Sequence, residues 1–254
     1  MIGLSLTFYL GRSLVPVAGD VAAALAERLG VSITFDPTAN DAERRVALDA
    51  PAAGIVWMCG LETILRQDDG RLSASIIGAP VFPGRNAPVY DSVIVAARRS
   101  AGSAWTNLAS GTLAINQPDS WSGHHALRAH LHRIGLPQAG FGRIVVTGSH
   151  EASIDALIDG TADIAAIDDT VWSARISRDP RAAALCVIDR TDTWPAPPFS
   201  LTDVTDTGLG AAIRDALPGV AVPGLAAIER ASDEDYAVFR DGLGVSRSLP
   251  WPSP

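Results

Sequence analysis

Short apolar runs alternate with amphipathic segments along most of this chain, a pattern typical of α/β proteins. The runs predict strands at 2–10, 31–35, 54–58, 73–82, 90–98, 112–115, 143–147, 164–168 and 185–188. The amphipathic segments predict helices at 16–29, 40–49, 61–67, 151–159, 170–177, 208–216 and 233–241, a helix ending at Ile134, and a further one over 223–230. The β-α-β order of the first part implies parallel strands joined by right-handed crossovers.

Two proline-rich breaks, at 83–89 and 191–200, interrupt this alternation. The segment between them has its own set of strands. We therefore predict two α/β lobes, with residues 1–88 plus 191–254 forming the first lobe and residues 89–190 inserted as the second. The chain would cross twice between the lobes, and the cleft between them is the expected ligand site.

The stretch 111–132 combines a strand, a turn and a helix start. Ser120 or Ser122 is suited to cap the helix, and Gly123 lets a ligand approach the backbone. A helix start has unpaired N–H groups at the positive end of the helix dipole, which is the basis of an anion site. An ordinary capped turn explains the same residues, and both interpretations remain open from this stretch alone.

The charge balance excludes several functions. The net charge of −8 argues against nucleic acid and anionic membranes as partners, and the chain lacks the run of 18 apolar residues that membrane insertion requires. All 20 basic residues are arginines, so lysine Schiff bases, pyridoxal chemistry and a Walker A site are excluded. Cys59 and Cys186 are expected to be buried free thiols, with a disulfide left open.

Two residue sets suggest chemistry that we do not expect. His124, His125, His130 and His132 share one helix, but their spacing does not match a metal site, so we predict no metal. Ser122, His150 and Asp168 have the composition of a hydrolase triad without the Gly-x-Ser-x-Gly elbow. His150 and Asp168 each have a simpler interpretation as residues at helix starts.

Five motifs occur in order between residues 90 and 195. They are Tyr90-Asp91-Ser92, Asn116-x-Pro118-Asp119-Ser120-Trp121-Ser122-Gly123, Thr147-Gly148-Ser149-His150, the run from Gly160 to Asp168, and Asp192-Thr193-x-Pro195. Together they resemble type 2 periplasmic binding proteins, in particular the phosphate/phosphite/phosphonate-binding family of ABC transporters. The resemblance covers roughly residues 50–200.

The resemblance implies a two-lobed fold with two hinge crossings that closes on a small tetrahedral oxyanion. It implies no catalysis, no cofactor and an ABC transporter permease as partner. Its ligand-binding candidates in this chain are Tyr90, Ser120, Trp121, Ser122, Gly123, His150 and Asp168, together with Tyr9, Cys59 and Gly60 at the ends of the first and third strands. In these roles Tyr90 and His150 would donate hydrogen bonds, and Asp168 would accept a proton from the ligand or from an amine on it. Trp121 replaces a small residue of the family, which would narrow the pocket or stack on an organic group.

The start of the chain, MIGLSLTFYLGRSLVP, is interpreted as a first strand because it lacks the basic region and cleavage site of a signal peptide. The family resemblance points to a periplasmic protein, whereas the missing leader keeps a cytoplasmic location open. The alternative function is therefore a cytoplasmic enzyme or sensor on the same fold, acting on a small organic anion or a pyrimidine.

Overall fold

The computed structural model describes residues 4–98, 110–136, 141–203 and 207–248. Its strands are β1 Leu4–Tyr9, β2 Ile33–Thr34, β3 Gly54–Met58, β4 Ala74–Val81, β5 Val89–Tyr90, β6 Ser92–Ala96, β7 Thr112–Ile115, β8 Arg143–Val146, β9 Ile164–Asp168, β10 Cys186–Arg190, β11 Trp194–Pro195, β12 Phe199–Thr202 and β13 Ala227–Glu229. Its α-helices are α1 Val15–Leu29, α2 Asp41–Asp49, α3 Gly60–Asp68, α4 Ala126–Arg133, α5 His150–Ile158, α6 Asp169–Ile176, α7 Pro180–Ala183, α8 Thr207–Ala216 and α9 Val238–Arg247. Strands and helices alternate as the sequence pattern predicts, and the α/β class is confirmed.

The chain divides into two compact units. Unit 1 contains Met1–Val89 and Pro195–Ala237, and unit 2 contains Tyr90–Trp194 and Val238–Pro254. The first two passages between the units carry the short strands β5 and β11, which pair with each other. Cys59 belongs to unit 1 and Cys186 to unit 2, and neither forms a disulfide. Both are half-buried, whereas the sequence predicted buried thiols.

Unit 1 contains a sheet with the strand order β13-β4-β12-β3-β1-β2. Strands β1, β2 and β3 are parallel, as predicted, but β12 enters between β3 and β4 and runs antiparallel to both. Two predictions are corrected here: the break at 191–200 ends in a central strand, and the helix expected over 223–230 contains β13. Phe199 accounts for the strand at the end of the proline-rich break. Its ring is fully buried and stacks on Trp57 at 4.5 Å, so the residues after the last proline belong to the core of unit 1.

Unit 2 contains a sheet with the order β10-β6-β9-β7-β8. Side chains of β6 alternate between two apolar clusters, with Val93 and Val95 in one and Ile94 and Ala96 in the other. Helix α4 covers one face through Leu127 and Leu131, while α5 and α6 cover the other. Burial on both faces explains why these strands are continuous apolar runs in the sequence.

The last helix, α9, belongs to unit 2, which adds a third passage of the chain at residues 237/238. This differs from the expectation that all of 191–254 joins the first lobe. The reason is packing, because Phe239 lies 5.0 Å from Trp121 and Ser246 hydrogen-bonds His125, both within unit 2. In the described part of the chain, every helix is too short or too polar to cross a bilayer.

Candidate anion-binding site

One edge of the unit 2 sheet gathers the polar loops of that unit. Strands β7, β8 and β9 are parallel, so their carboxyl ends lie at the same edge, and β6 runs antiparallel to β9 so that its start lies there too. In open α/β sheets this edge is the usual place for ligands. The loops at the edge contain Tyr90–Ser92, Asn116–Gly123, Thr147–His150 and Asp168–Thr170.

The turn 120–125 opens the helical segment that continues as α4. Trp121–His125 forms one π-helical turn, which is a wide turn that is rare in proteins and is frequent at functional sites. Ser120 caps it, because its Oγ accepts the N–H of Gly123 at 3.2 Å and its carbonyl accepts the N–H of His125 at 3.2 Å. The first N–H groups of such a segment lack intrahelical acceptors and attract an anion.

Gly123 is closely approached by side chains from two other elements. A Cβ built on it would overlap Oδ1 of Asn116 and would come within 3.0 Å of Cε1 of His150. The end of β7 and the start of α5 therefore close on this backbone from two sides. The sequence identified Gly123 as permitting close approach of a ligand, and the structure shows close approach of protein groups.

Ser122 and His150 are hydrogen-bonded although 28 residues separate them. Oγ of Ser122 lies 3.0 Å from Nε2 of His150, and Nδ2 of Asn116 lies 3.3 Å from the same nitrogen. Oδ1 of Asn116 accepts the N–H of Gln117, so its amide nitrogen is the group that donates toward His150. Nε2 is then an acceptor, which places the proton of a neutral imidazole on Nδ1. Its single lone pair can be filled by Nδ2 of Asn116, which lets the hydroxyl of Ser122 turn its proton toward a ligand.

Burial keeps His150 neutral. The side chain is 8% exposed, and desolvation lowers its pKa to about 4, against smaller opposing effects from Glu151 and from the backbone of Ala166. At neutral pH the imidazole therefore has no charge to attract an anion. Its contribution to a ligand is to position the hydroxyl of Ser122, because the one lone pair of Nε2 already faces Asn116 and Ser122.

Asp168 ends β9 and caps α6. Its Oδ1 accepts the N–H of Thr170 at 2.9 Å and the hydroxyl of Thr170 at 2.6 Å, and its backbone pairs with Ser92 across the sheet. Burial raises the pKa of Asp168, and the two bonds from Thr170 oppose that shift. The capping interpretation is therefore correct, and the proton-accepting role toward a ligand stays a prediction.

Tyr90 and Asp91 lie beside Asp168 at the start of β6. Tyr90 is buried in β5, and the carbonyl of Asp91 accepts the N–H of Asp169 at 3.1 Å. The carboxylate of Asp91 is 5% exposed and is paired with Arg190, which ends β10. An arginine thus stands at this edge, but it is neutralised by a buried acid.

Trp121 points into unit 2 and not toward solvent. Its ring is fully buried and lies 4.2 Å from Trp194 and 5.0 Å from Phe239 between ring centroids. These contacts show a packing role for the residue that was expected to narrow the pocket or to stack on a ligand.

Three predicted site residues belong to unit 1. Tyr9 ends β1 opposite Met58, so Tyr9 and the Cys59-Gly60 turn lie at the carboxyl-end edge of the unit 1 sheet. Arg45 stands over the Tyr9 ring at 5.5 Å, and Cys59 precedes α3 as its N-cap residue. Within unit 1 these three are neighbours, and their role toward a ligand remains a prediction.

The histidines of the helical segment contact protein groups. His124 Nδ1 lies 2.7 Å from the carbonyl of Pro118, His125 Nδ1 lies 2.8 Å from Oγ of Ser246, and His130 Nε2 lies 2.9 Å from Asp189. His132 is exposed at the surface. Their contacts therefore point to three separate structural roles for the buried rings.

Sequence reasoning missed Asn116 and the Asp91–Arg190 pair as parts of this edge. In the sequence Asn116 stands only as the first residue of a motif, yet in the structure it contacts both His150 and the backbone of Gln117. The available signal was its position, since it is the first polar residue after a buried strand. No local signal joins Asp91 to Arg190, because 99 residues separate them.

We expect Ser120→Ala to destabilise the turn by about 1 kcal/mol, the usual cost of losing an N-cap side chain. Urea unfolding of the whole chain measures this change, with Ser173→Ala on the exposed side of α6 as the control. Equal midpoints for the two variants would mean that the Ser120 hydroxyl does not cap the turn.

The chain matches a known protein family over most of its length. The sequence model of the family described as "ABC transporter, phosphonate, periplasmic substrate-binding protein" matches residues 7–239. A search of curated proteins found no significant match.

Solved structures resemble the chain over nearly its whole length. PhnD1 from Prochlorococcus marinus (MIT 9301), in complex with methylphosphonate, is 15% identical with a TM-score of 0.78 over 97% of each chain. A binding protein component of an ABC phosphonate transporter from Pseudomonas aeruginosa is 15% identical with a TM-score of 0.79, over 96% of this chain and 86% of that one. XAC2383 from Xanthomonas citri, bound to ATP, is 15% identical with a TM-score of 0.68, over 98% and 99% of the two chains. At these identities the likeness shows a shared periplasmic-binding-protein fold.

Proposed function

Because this chain belongs to the family of periplasmic substrate-binding proteins of ABC phosphonate transporters, we propose that it binds a small oxyanion of the phosphonate type at the turn Ser120–Gly123. The observation that carries the proposal is the construction of this turn. It combines the start of a helical segment, a hydroxyl held by a neutral imidazole, and a glycine that brings the backbone close to both.

Neutral donors are sufficient for this task. A hydrogen bond to an ionised oxygen is shorter and stronger than one between neutral groups, and it gains further in a buried setting. Ser120 and Ser122 are 9% and 4% exposed, so an anion that reaches their hydroxyls exchanges water for fixed dipoles. A lysine is not needed, which agrees with a chain that contains none.

An acceptor at the same edge favours a ligand that carries a proton. The carboxylate of Asp168 accepts hydrogen bonds, and burial disfavours additional negative charge beside it. A monoprotonated phosphonate or phosphate offers an O–H to such a group, whereas sulfate at neutral pH does not. We therefore expect phosphonate and phosphate to bind more tightly than sulfate.

Calorimetry with methylphosphonate, phosphate, phosphite and sulfate tests the proposal. We expect Ser122→Ala to weaken binding of the preferred anion by about tenfold or more, since a hydrogen bond to a charged group contributes about 1.5–3 kcal/mol. Ser173→Ala, at an exposed position of the same unit, is the matched control. Failure of all four anions to bind, or equal affinities for the two variants, would contradict the proposal.

The alternative of an enzyme on this fold has one feature in its favour, the Ser122–His150 contact of 3.0 Å. A hydrolase would also place a carboxylate on the second imidazole nitrogen. Among the described residues, Nδ1 of His150 is buried without a hydrogen-bond partner, and the Oδ1 of Asp168 is engaged with Thr170. We therefore propose capture without turnover.

The cellular role follows from the family. We propose that the protein works outside the cytoplasm and delivers its ligand to the permease of an ABC transporter. Deletion of its gene should reduce uptake of the preferred anion, and re-expression should restore uptake. Unchanged uptake would instead support the sensor alternative.

A further inference from the structure

Helix α9 contacts both ends of the candidate anion-binding turn. At one end, a Cβ built on Gly242 would overlap Cη2 of Trp121 and would lie 2.8 Å from Cη2 of Trp194. Phe239, one turn earlier on α9, faces the same indole at 5.0 Å. The missing side chain of Gly242 is therefore what allows the Trp121 ring to occupy its place.

At the other end of the turn, Ser246 of α9 holds His125. Its Oγ lies 2.8 Å from Nδ1 of His125, and both residues are buried. Gly242 and Ser246 are four residues apart, so they lie on the same face of the helix. One helix face thus contacts the first and the last residue of Trp121–His125.

We propose that α9 is a positioning element for anion binding, with Gly242 setting the place of the turn through the Trp121 ring. The inference rests on the proposed function of Ser120–Gly123. Trp121 is the chain neighbour of both Ser120 and Ser122. Displacement of its ring therefore moves the hydroxyl of Ser122, which contacts His150 at 3.0 Å. The ring has little room to adjust, because Trp194, Phe239 and His125 surround it.

Helix α9 itself supplies a matched pair of variants. Gly242 is buried against the two indoles, whereas Gly244 is exposed and has no atom within 4 Å of a built Cβ. Both changes to alanine raise the helix propensity equally. A difference between Gly242→Ala and Gly244→Ala therefore reports the contact with Trp121 and not a change in the helix.

The first readout does not depend on a ligand. Nuclear magnetic resonance of the full chain should show shifted amide signals for Ser122 and Gly123, and a shifted Nε2 signal of His150, in Gly242→Ala but not in Gly244→Ala. Unchanged signals in both variants would overturn the inference, whatever the protein binds.

The second readout is the affinity for methylphosphonate and phosphate. We expect Gly242→Ala to weaken binding at least fivefold in folded protein while Gly244→Ala leaves it unchanged, and we expect Trp121→Phe to reduce the effect of Gly242→Ala. Equal affinities for the two glycine variants would overturn the inference. If the wild type binds neither probe, the proposed function fails, and the resonance experiment still decides whether α9 positions the turn.

Discussion

Gly123→Ala is expected to abolish anion binding and to destabilise unit 2 by about 1–3 kcal/mol. The added methyl would overlap the side-chain oxygen of Asn116 and would crowd the ring of His150, two groups fixed by β7 and α5. Relief requires the turn to move away from both the strand and the helix, and overpacking of this kind costs about 1–3 kcal/mol. Calorimetry with methylphosphonate and urea unfolding measure the two effects.

Gly210→Ala is the control for this experiment. Gly210 lies in α8, where a built Cβ meets the side chain of Leu201 at an ordinary 3.9 Å. The urea midpoint of that variant should be equal to or higher than that of the wild type, because alanine favours a helix. Wild-type stability and wild-type binding in Gly123→Ala would contradict the close contacts of Gly123 with Asn116 and His150.

Acid should destabilise the protein well before its carboxylates are protonated. Burial lowers the pKa of His125 to about 3 and that of His150 to about 4, whereas an unfolded histidine takes its proton at about 6.5. Their contribution to stability is complete above pH 6.5 and is lost as the pH falls toward the folded-state pKa values. From pH 7 to pH 5 the free energy of unfolding should fall by roughly 2 kcal/mol for each histidine.

Other titratable groups change how steeply the free energy of unfolding depends on pH. Burial also lowers the pKa of His124, which adds to the loss, whereas the raised pKa of Asp168 has the opposite sign because that acid gains stability on protonation. Urea unfolding at pH 7, 6 and 5 should give a shallower dependence for His125→Gln than for the wild type. His132→Gln, at an exposed position, should keep the wild-type slope. Parallel slopes for all three proteins would mean that His125 is accessible to protons in the folded state.

The strands that the sequence predicted best are those buried on both faces. Residues 54–58, 112–115 and 164–168 are continuous apolar runs, and the structure has strands at the same residues. The missed strands include β12 and β13, which are short and begin within a few residues of a proline or glycine. They pair with strands well over 100 residues earlier in the chain, so no local pattern signals them.

The candidate site divides in the same way. The serines and glycine of the turn were predicted because a helix start requires recognisable residues. Trp121 shows the limit of that reasoning, since an aromatic residue in a loop can face a ligand or a core. Its direction depends on Phe239 and Gly242, which lie on a helix more than 110 residues later.

The amino-acid sequence by itself determined the α/β class, the family, and the order of the loops that carry polar groups. These properties depend on local periodicity and on short motifs, and both can be identified from the order of the residues alone. Only the tertiary structure decided that His150 is neutral and holds Ser122, that Asn116 closes on Gly123, and that the last helix packs on the turn. These features result from burial and from steric contact between residues that are distant in sequence, and both arise only when the chain folds.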